Sequence, residues 1–144
     1  LIAKSALRST SKQSLHLDIL NLVEFSPIEG KNKLIITGAD SVETFWGIKK
    51  SIKKLAISFI VLEIMDKLVP FEQSDENLWD YMLRFLYTLN NAQESELPEL
   101  ISQMKKGLAD TLGYGGQNIE SLFSDVWGER MYSMKFAKRL SPDF

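Results

Sequence analysis

Apolar and polar positions alternate over residues 14–25, SLHLDILNLVEF: Leu15, Leu17 and Ile19 fall on one face, His16 and Asp18 on the other. The phase then slips by one residue, and Leu20 and Leu22 take up the pattern. A period of two marks a strand, and a slip of one within it predicts a bulge or a sharp bend. SPIEGKNK (26–33) supplies Pro, Gly and Asn, the chemistry of a turn, and KLIITGAD (33–40) reads as a second short strand. Two strands with a bent first member look like part of a small barrel, since two strands alone are marginal.

From Asp40 the period changes from 2 to 3.6. Asp40 or Ser41 is placed to cap a short helix through Phe45, with Gly47 ending it. Ile48, Ile52, Leu55, Phe59, Leu62 and Met65 then form the stripe of a long helix ending near Val69–Pro70. Lys49, Lys50, Lys53 and Lys54 lie off that stripe in its first two turns, where the helix dipole favours acids instead. SDEN (74–77) opens a second helix with Ser74 as N-cap; its stripe is Leu78, Met82 (or Tyr81), Phe85 and Leu89, and Asn90–Asn91 closes it. A third helix starting at Ser95–Pro98 carries Leu100, Ile101, Met104, Leu108 and Leu112, with Gly113 as the residue that ends it. GYGGQN (113–118) reads as a turn. A fourth helix follows through Ile119, Leu122, Phe123 and Val126, resumes after Gly128 through Met131, Met134 and Leu140, and leaves SPDF as an exposed tail. The expected fold class is therefore α+β, with a β piece at 1–39 and a helical domain at 40–144.

At 144 residues the chain has room for one domain with a real core, or two very small ones. Its formal net charge is −2, but the charge is uneven: residues 1–55 hold nine Lys and Arg against five Asp and Glu, and residues 56–144 hold eight against fourteen. That asymmetry points to a basic contact surface on the first part and a different task for the second. The absence of Cys rules out disulfides and Cys-ligated zinc or iron–sulfur sites, and a lone His16 rules out a His-rich metal site. No cofactor is implied. The longest apolar run, Leu55–Leu62, is broken by Ser58 and falls far short of a membrane span, and Lys4 and Arg8 interrupt any signal-peptide core. The chain starts at Leu1 rather than Met, as if cut from something longer, and reads as cytoplasmic.

No catalytic constellation emerges. His16 has no nucleophile in supporting context, GYGG lacks the strand and the Lys-Ser/Thr of a phosphate loop, and the pairs Asp75/Glu76 and Glu94/Glu96 read as helix-start charges. An enzyme is not expected. The cations carry more information: Lys4, Arg8 and Lys12 at an even spacing of four, then Lys31 and Lys33, then Lys49, Lys50, Lys53 and Lys54. Such clusters either form a solvated surface or meet a phosphate backbone with release of counterions. Phe25, Phe45 and Trp46 are the nearest aromatics for base stacking, but their spacing reads as structural and assigns them to the core.

The order of these pieces resembles the RecO family of DNA repair and recombination mediators. The matching residues are the basic segment Lys4, Arg8 and Lys12, the pair Ala39–Asp40, and the helix bearing Phe45, Ile48, Ile52, Leu55–Ala56, Leu62–Glu63 and Asp66. LADTLGY (108–114) is similar to a helix end of that family, and GERMYSMKF (128–136) to its last helix. The resemblance implies a partial OB-type β-barrel followed by an α-helical bundle. It also implies a non-enzymatic mediator that binds single- and double-stranded DNA, anneals complementary strands, contacts the tail of single-stranded-DNA-binding protein, and assists RecA loading with RecR. Lys4, Arg8, Lys12, Lys31, Lys33, Lys49, Lys50, Lys53 and Lys54 become the expected DNA contacts, and Lys105, Lys106 and Lys135 the cations for an acidic, hydrophobic-ended partner peptide. The chain departs from the family pattern in lacking the first barrel strands, the zinc-binding cysteines, a glycine at Ser5 and the basic residue near Met131-Tyr132-Ser133. The competing expectation is an acidic helical adaptor without DNA binding.

Overall fold

The computed structural model describes residues 2–3, 11–31, 33–68, 75–115 and 131–140. The chain divides into two compact units, 1–45 and 46–144. The architecture is α+β, with strands β1 (Ile2–Ala3), β2 (Leu22–Glu29) and β3 (Leu34–Glu43) preceding the helices.

In the first unit, β2 and β3 pair antiparallel from Leu22↔Glu43 to Glu29↔Leu34, and β1 pairs parallel with β3 at Ile2↔Ile35. The strand order is β1–β3–β2. The hairpin turn closes with the Gly30 N–H donating to Lys33 O at 2.9 Å. A Cβ on Gly30 would stand 2.9 Å from that same oxygen, so the approach itself selects glycine. Register shifts occur between Leu22 and Val23 and between Ser26 and Pro27. The slip that the sequence shows at Leu20 falls in the turns before β2, not in a strand, and Ser26–Glu29, expected as turn, belong to β2.

Residues 14–20 are not a strand. They form successive turns, with Ser14 N–H bonded to Ser11 O, Leu17 N–H to Gln13 O and Asn21 N–H to Asp18 O. Polar side chains that bond locally to backbone compete with a ladder. Asn21 Nδ2 donates to Leu15 O and His16 O, and Gln13 Nε2 reaches Thr37 O in β3 at 2.7 Å. Leu15 and Ile19, the two ends of the apparent apolar face, are exposed.

The short helix expected from Asp40 to Phe45 is absent. β3 continues to Glu43, so the first unit runs past the expected 39/40 boundary to Phe45. The Glu43 carboxylate then accepts the N–H groups of Thr44 (2.8 Å) and Phe45 (2.9 Å). Those bonds hold Phe45 at φ 48°, a left-handed conformation that a bulky residue seldom adopts.

The second unit contains α1 (Trp46–Lys49), α2 (Ile52–Leu68), α3 (Glu76–Asn91), a 3₁₀ turn (Glu94–Glu96), α4 (Leu97–Thr111) and α5 (Tyr132–Leu140). The single long helix expected from Ile48 is broken at Ser51, which caps α2 and takes the Lys54 N–H at 3.5 Å. Gly47 lies inside α1 rather than ending it. Its Cβ would stand 2.1 Å from Asn90 O, so α1 can pass the end of α3 only without a side chain there.

α2 buries a different face from the predicted stripe. Ala56, Ile57, Ile60, Val61 and Ile64 are buried, whereas Ile52 is exposed and Leu55, Phe59, Leu62 and Met65 are half-buried. The helix is apolar nearly all round because it packs against α1 and α3 as well as α5. α3 and α4 follow their patterns: Leu78, Met82, Phe85 and Leu89 are buried, and so are Ile101, Met104 and Leu108. Asp75, not Ser74, caps α3, with its side chain accepting the Leu78 N–H at 3.0 Å.

α4 ends as its glycine predicts. Gly113 sits at φ 79°, its N–H bonds to Asp110 O, and Tyr114 N–H bonds to Ala109 O, the paired closure of a Schellman motif. The helix expected at 119–126, the end of the GYGGQN turn and the SPDF tail lie outside the described residues. Among the described residues no helix is long and apolar enough to cross a membrane.

Candidate nucleic-acid interface

The expected DNA-binding cations fall into two groups, one on each unit. On the first unit, Lys12 is exposed in the turns preceding β2, and Lys31 and Lys33 are exposed at the tip of the β2–β3 hairpin. Lys4 and Arg8 lie outside the described residues. The hairpin exposes apolar side chains, Phe25, Ile28, Leu34 and Val42, among its charges. Its tip is basic, whereas its other half carries Glu24 directly opposite Asp40, and Glu43 beyond. Like charges in cross-strand register repel one another and also repel phosphate. A shallow groove lined by Val23, Glu24, Phe25, Ser26, Gly38 and Asp40 occupies that acidic half. Among the described residues of this unit the cations lie at the tip, beside Glu29, and in the Lys12 turn.

His16 serves structure. Its Nδ1 accepts the Ser41 N–H at 3.1 Å and lies 3.1 Å from Ser41 Oγ, so the turns carrying Lys12 are tied to β3. An Nδ1 that accepts a backbone proton leaves Nε2 as the protonated nitrogen of the neutral ring.

On the second unit the four lysines separate. Lys49 and Lys50 come at the end of α1, where cations suit the helix dipole, so half of the anomaly in the sequence disappears once the helix breaks at Ser51. Lys54 is buried and its Nζ donates to Asn90 O at 3.1 Å, in the last turn of α3. It is a counter-ion for that helix end rather than an outward-facing contact. Asn90 Oδ1 accepts the Ile48 N–H at 3.2 Å, so one residue joins α1, α2 and α3. Lys53 pairs with Glu94 at 3.4 Å. The Ser51 hydroxyl donates to Glu94 Oε1 at 3.0 Å, and this bond, followed by Lys53, holds the carboxyl below its usual range. Lys50 is exposed. Lys49 Nζ lies 6.0 Å from the ring centroid of Trp46, whose exposure is 63%. The core assignment of Trp46 and Phe25 is corrected: both are exposed, and only Phe45 is buried.

The expected peptide cations do not form one cluster. Lys105 and Lys106 are on α4, which packs on α3, whereas Lys135 is on α5, which packs on α2. Lys135 Nζ lies 5.7 Å from the Tyr132 ring, beside a groove whose lining is both apolar (Phe59, Leu62, Tyr132 and Phe136) and polar or acidic (Glu63, Asp66 and Ser133). Glu63, named in the sequence only as part of the family resemblance and given no role there, fixes this corner. It accepts the N–H groups of Tyr132 (3.0 Å) and Ser133 (2.8 Å) and the Ser133 hydroxyl, and lies 3.8 Å from Lys67. Burial pushes its carboxyl up, but those donors and Lys67 more than offset this and leave it below the ordinary value. A Glu inside an apolar helix, seventy residues from the chain it caps, leaves no local signal to read.

Comparison with known proteins bears on these features. Residues 49–117 match the family described as Recombination protein O C terminal. A DNA repair protein RecO of Dehalococcoides mccartyi is 34% identical over 95 residues, covering 66% of this chain and 38% of the relative. The protein of the same name from Acetivibrio thermocellus is 25% identical over 113 residues, covering 78% of this chain and 45% of the relative. The chain thus spans about two fifths of the length of these curated relatives. No solved structure matches it. The family match begins at Lys49, takes in α2, α3 and α4, and runs past Gly113, and together with these relatives it supports placing the chain in the RecO family.

Proposed function

We propose that the chain acts in DNA repair and homologous recombination as a non-enzymatic, cytoplasmic mediator of the RecO kind. It binds single- and double-stranded DNA, anneals complementary strands, and assists RecA loading together with RecR. The observation that carries this reading is the family match over residues 49–117, strengthened by relatives whose printed name is DNA repair protein RecO. The first unit is read as part of an OB-type barrel. Support comes from the bulged β2–β3 pair and from the exposed Phe25, Ile28, Leu34 and Val42, apolar side chains that a closed barrel would cover.

Lys12, Lys31 and Lys33, with Lys4 and Arg8, are the proposed phosphate contacts of the first unit; on the second, the exposed Lys50 leads, with Lys49 beside it. Lys53 and Lys54 are engaged by Glu94 and Asn90 and contribute less. The tail of single-stranded-DNA-binding protein is the proposed peptide partner. Lys135, beside the groove of Phe59, Leu62, Tyr132 and Phe136, fits an acidic segment with a hydrophobic end better than Lys105 and Lys106 do.

The test is binding of fluorescein-labelled single-stranded DNA across a salt series. Affinity is expected to fall steeply with salt, and each lost phosphate contact lowers the log–log slope by about 0.7 for a single strand. Replacing Lys12, Lys31 and Lys33 together by Ala should therefore flatten the slope by up to about 2. An unchanged slope removes those residues from the interface, and absence of binding at low salt overturns the DNA-binding reading for this chain.

A further inference from the structure

Trp46 presents 63% of its surface to solvent at the start of the second unit, with Glu43 three residues before it and Lys49 and Lys50 three and four residues after it. Lys49 Nζ lies 6.0 Å from its ring centroid, and Lys50 is exposed one residue further on. The other described tryptophan, Trp79, is exposed to 47%, but its neighbours in sequence are Asp75, Glu76 and Asp80. Of the two, only Trp46 has an ammonium group beside its ring among the described residues. A flat π-face beside ammonium groups suits a ligand that offers another π-face and, next to it, negative charge. A nucleotide in a single strand has both. In a duplex the base faces are already stacked on one another and cannot reach the indole.

We infer that Trp46 is a base-stacking platform for single-stranded nucleic acid, with Lys49 and Lys50 meeting the phosphates on either side of the stacked base. The inference rests on the DNA-binding reading above and adds to it a residue, a mode of contact and a preference for unpaired strands. Stacking on an aromatic side chain contributes enough that its removal weakens binding by roughly 5- to 100-fold.

The experiment uses the full chain with Trp79→Phe and Trp127→Phe, leaving Trp46 as the only indole, titrated with a thymidine oligonucleotide. Saturable quenching of its fluorescence is expected. Trp46→Ala should lose roughly 5- to 100-fold in affinity, Trp46→Phe should keep most of it, and Trp79→Ala should change nothing. On an oligonucleotide of the same length made of abasic sites, the Ala and Trp chains should bind alike. Equal binding of thymidine strands by Trp46→Ala, or absence of quenching in a chain that binds, overturns the platform and leaves the DNA-binding reading standing. Absence of binding by the unaltered chain overturns both. Should Trp46→Ala fail to fold, the quenching and the Trp46→Phe affinity still decide the question.

Discussion

Gly47→Ala sets two physical effects against each other. Alanine is the better helix former, and inside α1 the exchange alone would stabilise by about 0.5–1 kcal/mol. The new Cβ, however, would stand 2.1 Å from Asn90 O, 2.9 Å from its Oδ1 and 3.0 Å from its carbonyl carbon. To restore ordinary contact, that residue must retreat by roughly 1 Å. The movement stretches both bonds that Asn90 makes, from Lys54 Nζ (3.1 Å) and from the Ile48 N–H (3.2 Å). A hydrogen bond to a charged group contributes about 1.5–3 kcal/mol and a neutral one about 0.5–1.5. The net expectation is a loss of about 1–4 kcal/mol, which for a unit of this size lowers Tm by roughly 5–20 °C. Differential scanning calorimetry measures it. Because the clash acts through the Lys54 bond, Gly47→Ala combined with Lys54→Met should cost less than the two changes summed. A Tm equal to or above that of the unaltered chain would refute the reasoning, since it would mean that propensity wins and that α1 does not pass so close to α3.

Glu63 has a carboxyl held below its ordinary value, so the folded chain binds its proton less readily than the unfolded chain does. The stability this brings is complete above the unfolded value and fades as pH falls through the folded one. Urea midpoints should therefore drop in acid, and Glu63→Gln should reduce that drop; an unaltered acid dependence in the variant would show that the contact with α5 does not contribute. The two neighbouring lysines should behave differently. Lys53→Ala removes an exposed, solvent-screened pair and should leave stability nearly unchanged, whereas Lys54→Ala strips packing and a buried bond and should cost about 1–3 kcal/mol. Equal effects in chemical denaturation would contradict the assignment of Lys54 to the α3 terminus.

The parts of the fold legible in the sequence are those where one residue type meets one local need. The α3 and α4 stripes were readable because each helix buries a single face, and Gly113 because only a left-handed residue closes that helix end. α2 defeated the same reasoning. A helix with neighbours on several sides has no distinctive stripe, so its apolar residues fit more than one phase. Residues 14–20 alternate like a strand, but Gln13, His16 and Asn21 direct their side chains to backbone and to Ser41, and turns result. The positions of the site's cations were legible, but their engagements were not. Asn90 and Glu94 lie about forty residues beyond Lys53 and Lys54, and long-range partners of that kind leave no periodic trace. The spacing of Trp46 likewise points to the core although the residue is exposed, since exposure of a large aromatic is set by what the fold brings beside it.

β2 has its ladder partner on one side only among the described residues, and Pro27 and two register shifts interrupt it. An uninterrupted outer strand offers a row of backbone donors and acceptors to any other chain in the right conformation. Here the row lacks a donor at Pro27 and bends where the register slips. The consequence concerns crowding rather than binding. Phe25, Ile28 and Leu34 are exposed on this hairpin, a composition that favours sheet-to-sheet growth between copies, and the break at Pro27 with its register shift works against that growth.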